Sequence, residues 1–128
     1  MKIGILKEEK IPLDSRVPLT PDQCNILIKK HPSIDIVVMT SDFRCFSDEM
    51  YMKAGVRVVN DLYDCDLLIG IKEVPESSLI KNKTYCFFSH TIKGQEYNRS
   101  LLASMIKLNI KMIDYEVLKD LNGKRLIG

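Results

Sequence analysis

The sequence lacks the glycine-rich patterns with which α/β domains most often hold a nucleotide. It has six glycines, and none of them falls in a GxGxxG or a GxxxxGK[ST] arrangement. Those glycines let the backbone approach phosphate groups closely. We therefore predict no cofactor-binding residue in this chain and no cofactor bound to it.

An excess of charge of one sign is also missing. The chain has 19 basic and 17 acidic residues, a formal net charge of +2, and the charges are spread along its whole length. Without a basic stripe there is little attraction for nucleic acid or an anionic membrane, so neither is expected as a partner. The apolar run at the amino terminus is too short for a signal peptide or a membrane span, which predicts a cytoplasmic protein.

The cysteines form no CxxC pair. Cys24, Cys45, Cys65 and Cys86 occur singly, and a cytoplasmic chain of this size does not need disulfides. We predict four buried free thiols and no metal site.

The chain does contain short apolar runs that alternate with segments of helical period. This alternation is typical of an α/β domain with a mostly parallel sheet, and the length of 128 residues suits a single domain. The pattern predicts strands at 3–6, 34–39, 56–59, 66–71, 85–88 and 111–113, with a further strand beginning near 125 after a turn at 122–123. It predicts helices at 21–31, 47–55 and 95–108. Thr20 and Gln23 have the spacing of a capping box that begins the first helix, and the apolar residues of the third form a stripe that we expect to pack against the sheet.

Ionisable residues follow four of these strands. In open parallel sheets the carboxyl ends of the strands share one edge, where ligands bind. The sets after the four strands are Lys7 and Glu8, Lys72 and Glu73, Ser89 and His90, and Asp114 to Glu116. Each set alone is most often a solvated loop, but together they predict a polar crevice.

Lys72 and His90 carry the catalytic hypothesis. They end two apolar runs that we expect to be adjacent strands, and a lysine and a histidine in one crevice can transfer protons. Arg16 lies in the loop before the first helix. It either pairs with Asp14 or Glu9, or offers a guanidinium fork to a substrate carboxylate.

The same residues lie in segments that resemble a known family. SRVPLTP at 15–21, GIKEVPE at 70–76, FFSHTIKGQ at 87–95, IDYE at 113–116 and NGKR at 122–125 are similar to the amino-terminal domain of the alanine dehydrogenase and pyridine nucleotide transhydrogenase superfamily. The segments at 87–95 and 113–116 resemble lysine-ketoglutarate reductase and saccharopine dehydrogenase most. The resemblance covers essentially the whole chain and implies a Rossmann-like (flavodoxin-like) three-layer domain.

That resemblance implies the reversible reductive condensation of lysine with 2-oxoglutarate, with NAD or NADP bound by a second domain. It implies that Lys72 and His90 are the acid–base residues. Arg16 would bind substrate carboxylate, and Lys93 would be a second cationic residue of the substrate site. Glu73 and Glu116 would tune the pair or bind the substrate ammonium. The chain would be the substrate-side domain of a longer protein, inactive on its own.

Three alternatives stay open. The chain could derive from an alanine dehydrogenase, from a transhydrogenase, or from a non-enzymatic module that binds an amino acid or a partner protein. Either direction of the reaction, either NAD or NADP, and either a monomer or an oligomer are compatible with these segments.

Overall fold

The structure, a computed structural model that describes residues 1–89 and 96–127, contains six strands and three α-helices in those residues. The strands are β1 (Lys2–Ile5), β2 (Asp35–Met39), β3 (Arg57–Val59), β4 (Leu67–Lys72), β5 (Thr84–Phe88) and β6 (Lys111–Asp114). The helices are α1 (Pro21–Lys30), α2 (Asp48–Lys53) and α3 (Glu96–Lys107). Single 3₁₀ turns lie at Glu76–Ser78 and Tyr115–Val117.

The strands form one sheet in the order β3-β2-β1-β4-β5-β6, and all five neighbouring pairs are parallel. The predicted α/β class, the parallel sheet and the adjacency of β4 and β5 are thus confirmed. The strand order reverses between β1 and β4, so the loops that follow these two strands part there and leave a crevice at the carboxyl edge.

The predicted capping box fixes the start of α1. The Thr20 hydroxyl accepts the Gln23 amide at 3.2 Å, and the Gln23 side-chain oxygen accepts the Thr20 amide at 2.9 Å. Pro21 occupies the first turn, where no amide donor is needed. The helix ends before Pro32, as the steric effect of a proline on the residue before it requires.

Each face of the sheet has its own core. On the face covered by α1 and α2, the largest fully buried side chains are Ile5, Ile36, Val38 and Tyr51. On the face covered by α3 they are Val37, Leu68, Tyr85, Phe87, Leu101 and Met105. We call these the α1 face and the α3 face.

Three expectations need correction. Cys24, Cys65 and Cys86 are buried, but Cys45 is exposed because it lies in the loop between β2 and α2. The apolar run near residue 125 does not begin a strand within the described residues; it forms one antiparallel bridge between Lys119 and Arg125 across the turn at Gly123. The apolar stripe of α3 is only partly used, since Leu102 and Ile106 are exposed.

Among the described residues no helix combines the length and the apolar character that crossing a membrane requires. Within those same residues, no group of three or more His, Cys, Asp or Glu side chains is arranged to hold a metal ion.

Candidate active site

The carboxyl edge of the sheet collects the charged residues that the sequence places after the strands. Because the strands are parallel, Lys7 and Glu8 after β1, Lys72 and Glu73 at the end of β4, and Ser89 after β5 all lie at this edge. Asp114 ends β6 and Glu116 follows it in the 3₁₀ turn. The described residues that the sequence analysis assigns to this edge therefore do lie along it.

Arg16 and Lys72 meet at one carboxylate, that of Asp14. Arg16 forms a bidentate ion pair with Asp14: its Nε lies 2.9 Å from Asp14 Oδ1, and its Nη2 lies 2.6 Å from Asp14 Oδ2. Lys72 Nζ lies 3.8 Å from Oδ2 and donates to the Pro12 carbonyl at 3.1 Å. The hydrogen bonds from Arg16 lower the pKa of Asp14 to about 2. Arg16 and Lys72, which come from different parts of the chain, thus approach the same Asp14 carboxylate, and the Arg16 contact has the bidentate geometry typical of arginine.

Arg16 and Lys72 also remain accessible. The Arg16 side chain is 66% exposed and that of Lys72 is 27% exposed. A cavity of about 300 Å³ opens at the same edge on the α3 face, but its lining, which includes Lys7, Glu9 and Tyr85, contains neither of them. The predicted substrate-binding cation therefore lies on an open surface.

The Glu8 side chain binds the backbone at the end of β4. Its carboxylate accepts the amides of Ile71 at 3.1 Å and Lys72 at 2.7 Å. Burial raises the pKa of Glu8, and the two amide donors oppose that shift in part. The backbone of the predicted catalytic lysine is thus tied to a charged side chain of the loop after β1.

Glu73 forms an ion pair with the ammonium group of Lys10 in the same chain. Its side chain is only 1% exposed, and Oε1 forms an ion pair with Lys10 Nζ. Its Oε2 is buried and accepts no hydrogen bond from the described residues. Glu73 was predicted to bind a substrate ammonium or to tune the catalytic pair. The structure places it beneath the crevice, bound to Lys10.

Glu116 lies in the 3₁₀ turn that follows β6, at the same carboxyl edge of the sheet. It is buried, with Oε2 3.9 Å from Nη2 of Arg125. Its amide donates to Asp114 Oδ1 at 3.0 Å, and the other Asp114 oxygen accepts the Ser89 hydroxyl. Asp114 therefore ties the end of β5 to the turn that carries Glu116.

His90 and Lys93 lie outside the described residues. Their predicted roles, and the predicted proximity of His90 to Lys72, stay predictions.

Sequence reasoning missed Lys10, and it considered Asp14 only as a surface partner of Arg16. A signal was available in the loop between β1 and α1. Since β1 ends at residue 5 and α1 begins at 21, this loop spans the fifteen residues 6–20. A loop of that length inside a small domain is uncommon and often functional, and six of its residues are charged: Lys7, Glu8, Glu9, Lys10, Asp14 and Arg16.

The fold and this edge define a class: a Rossmann-like α/β domain with charged residues at the carboxyl ends of its parallel strands. Residues 4–127 match the family described as alanine dehydrogenase/PNT, N-terminal domain, and the chain belongs to that family. The resemblance of the sequence motifs is thereby confirmed.

Two curated relatives are similar over nearly the whole chain. Alpha-aminoadipic semialdehyde synthase of Rattus norvegicus, a mitochondrial protein, is 35% identical over 126 residues, which cover 98% of this chain and 13% of the relative. Saccharopine dehydrogenase [NAD(+), L-lysine-forming] of Schizosaccharomyces pombe is 33% identical over 132 residues, which cover 94% of this chain and 34% of the relative. The chain thus spans a minor part of each.

Solved structures agree with the fold. An L-alanine dehydrogenase superposes with a TM-score of 0.78 at 21% identity, covering 97% of this chain and 35% of that one. A transhydrogenase from Sinorhizobium meliloti gives 0.73 at 19% identity, covering 93% of this chain and 36% of that one. At these identities the likeness establishes the architecture alone.

Proposed function

We propose that this chain is the substrate-side domain of a saccharopine-type oxidoreductase and that a second domain of the same polypeptide binds NAD or NADP. The reaction is the reversible reductive condensation of lysine with 2-oxoglutarate. The observation that carries the proposal is the convergence of Arg16 and Lys72 on one carboxylate. A 2-oxo acid brings a carboxylate beside the carbonyl that must react, so binding of that carboxylate by Arg16 would bring the carbonyl close to Lys72.

We assign the residue roles as the family resemblance implies them. Arg16, with Lys93 as a second cation, binds a substrate carboxylate. Lys72 and His90 exchange protons with the amine and with the carbonyl oxygen that leaves as water. Glu73 and Glu116, which lie buried around the crevice, counter the positive charge of the site.

The first turn after β1 does not fit a dinucleotide. Residues 6–20 contain no glycine, and α1 begins only at Pro21, whereas a pyrophosphate needs a short glycine turn that leads directly into a helix. We therefore assign cofactor binding to the second domain and no step of it to this chain. Titrating the 128-residue chain with NADH or NADPH should leave the dinucleotide fluorescence unchanged.

The test of the function uses the full polypeptide. It should consume NADH or NADPH only when lysine and 2-oxoglutarate are both present, and the isolated chain should be inactive, because half of a cleft cannot position the reactants. Lys72→Met with His90→Gln should lower kcat by roughly a hundredfold or more. Lys111→Met is the matched control, since Lys111 is exposed and begins β6 at the opposite edge. Turnover of alanine or pyruvate instead would favour the alanine dehydrogenase type, and no turnover of either pair would favour a binding module.

A further inference from the structure

The strand β4 contains one residue more than its neighbour where it approaches the crevice. Ile69 lies opposite Cys86, whereas Lys72 lies opposite Phe88, so three steps along β4 match two along β5. An extra residue of this kind is a β-bulge, which re-aims the side chains that follow it.

The bulge determines the face on which Lys72 lies. Ile69 belongs to the core of the α1 face and Leu68 to that of the α3 face. In a regular strand, Lys72 would share the face of Leu68, because side chains alternate along a strand. The bulge instead aligns Lys72 with Phe88, whose ring meets the ring of Tyr115 at the α1 face.

That face carries the partners of Lys72. Its ammonium group reaches the Pro12 carbonyl at 3.1 Å and Asp14 at 3.8 Å, both in the loop that also presents Arg16. Without the bulge, the ammonium would leave on the α3 face, away from this loop. The meeting of Lys72 and Arg16 therefore depends on one extra residue in β4.

Glu8 supplies the hydrogen bonds that the bulge needs. At the end of the β1–β4 pairing, the amide of Leu6, directly after β1, donates a hydrogen bond to the Ile69 carbonyl at 2.8 Å. Beyond it, the amides of Ile71 and Lys72 donate to the two carboxylate oxygens of Glu8, at 3.1 and 2.7 Å. The side chain thus takes the place of the main-chain acceptors that β1 no longer provides, and its charge strengthens both bonds.

Gly70 leaves the room that this carboxylate occupies. A Cβ atom added at Gly70 would lie 3.0 Å from Glu8 Oε2 and 3.1 Å from Leu6 Cδ1. A methyl group there would press on the carboxylate, which would have to shift by a few tenths of an ångström relative to the two amides.

We propose that Glu8 is the positioning residue for Lys72: by binding both amides of the bulge, it fixes the lysine on the α1 face beside Arg16. Glu8 does not touch the substrate in this role. The proposal rests on the proposed function only in that the orientation of Lys72 then governs the reaction rate.

The test compares Glu8→Gln with Glu9→Gln in the full polypeptide at neutral pH. Glutamine keeps the shape of Glu8 but offers one acceptor oxygen instead of two. Glu9 is the matched control, because its carboxylate accepts the Ser78 hydroxyl at 2.7 Å and neither bulge amide. Hydrogen exchange of the peptide that contains Ile71 and Lys72, read by mass spectrometry, reports the bulge without any substrate.

In Glu8→Gln we expect exchange at the two amides to be roughly ten- to a hundredfold faster. We expect kcat to fall by about a hundredfold, since a small misplacement of a reacting group has that effect, while KM changes by less than about threefold. Gly70→Ala, which presses on the Glu8 carboxylate, should change exchange and kcat in the same directions by smaller factors, and it serves if Glu8→Gln fails to fold. Glu9→Gln should show neither.

Unchanged exchange in Glu8→Gln, faster exchange with an unaltered kcat, or equal losses in Glu9→Gln would each overturn the proposal. If the unmodified polypeptide does not turn over lysine and 2-oxoglutarate, the proposed function fails. The exchange result then decides alone whether Glu8 holds the bulge.

Discussion

Arg16 forms an ion pair with the carboxylate of Asp14, two residues before it in the same loop. Its Nη2 lies 2.6 Å from Asp14 Oδ2. The group that we propose to bind a substrate carboxylate therefore already holds one. A substrate has to displace Asp14 from the guanidinium or share it.

Asp14→Asn should strengthen the binding of 2-oxoglutarate. The neutral amide competes less for Arg16, and exposed ion pairs of this kind contribute up to about 1 kcal/mol, so a gain of up to about fivefold is expected. Calorimetric titration of the full polypeptide measures it, and Asp61→Asn, an exposed carboxylate of another loop, is the control. Weaker binding in Asp14→Asn would show that Asp14 assists the substrate.

The effect of Asp14→Asn on the affinity for 2-oxoglutarate should not vary between about pH 5 and pH 9. Its pKa is lowered from 3.8 to about 2, so the stabilisation from its pair with Arg16 is fully present above the unfolded value and is lost as the pH falls through about 2. Repeating the titration of both variants across this range checks it. A ratio of affinities that changes near neutral pH would assign the change to another group.

Lys10→Met should destabilise the fold although Lys10 lies in a loop. It removes the ammonium from a carboxylate whose side chain is 1% exposed. Breaking a fully buried pair costs about 3 to 5 kcal/mol, and since Lys10 is 35% exposed we expect about 2 to 3 kcal/mol. Urea unfolding measures the loss. Lys7→Met, at an exposed lysine of the same loop, should change little.

A second variant separates charge from packing at this pair. Adding Glu73→Gln to Lys10→Met removes the uncompensated buried charge, so part of the lost stability should return. A double variant less stable than Lys10→Met would mean that the Glu73 carboxylate has another favourable partner.

The fold was predictable because its signals are local. The capping box at Thr20 fixes one helix start within four residues, and apolar runs such as 66–71 indicate strands buried on both faces. Parallel strands then bring their carboxyl ends to one edge, so Lys72 and Glu73 could be assigned to the crevice before any contact was known.

The contacts within the crevice were not predictable in the same way. Lys10 and Glu73 form a hydrogen bond although they are 63 residues apart in the sequence, and no sequence periodicity links them. The bulge in β4 depends on a carboxylate from another loop and on space at Gly70. Cys45 was expected to be buried because cysteines usually are, but its position between elements decides its exposure.

Cys45 should be the one thiol of the native 128-residue chain that reacts fast with a disulfide reagent. It is exposed, whereas Cys24, Cys65 and Cys86 are buried. Burial also raises the pKa of the Cys24 thiol to about 11, which keeps it protonated and unreactive. Cys45→Ser should remove the fast phase, and denaturant should expose all remaining thiols. A fast phase that survives in Cys45→Ser would contradict the packing around the other three.

Gly4→Ala should destabilise the sheet by overpacking. A Cβ atom at Gly4 would lie 2.9 Å from Cys65 Sγ and 2.9 Å from Leu62 Cδ2, which is closer than real carbon contacts allow. Forcing a methyl group into a packed core costs about 1 to 3 kcal/mol. Cys65→Ala removes one of the two obstructing atoms, so the methyl at position 4 should cost less in that background. Urea unfolding of the two single variants and the double variant measures this coupling. Strictly additive losses would mean that Leu62 alone limits the space beside β1.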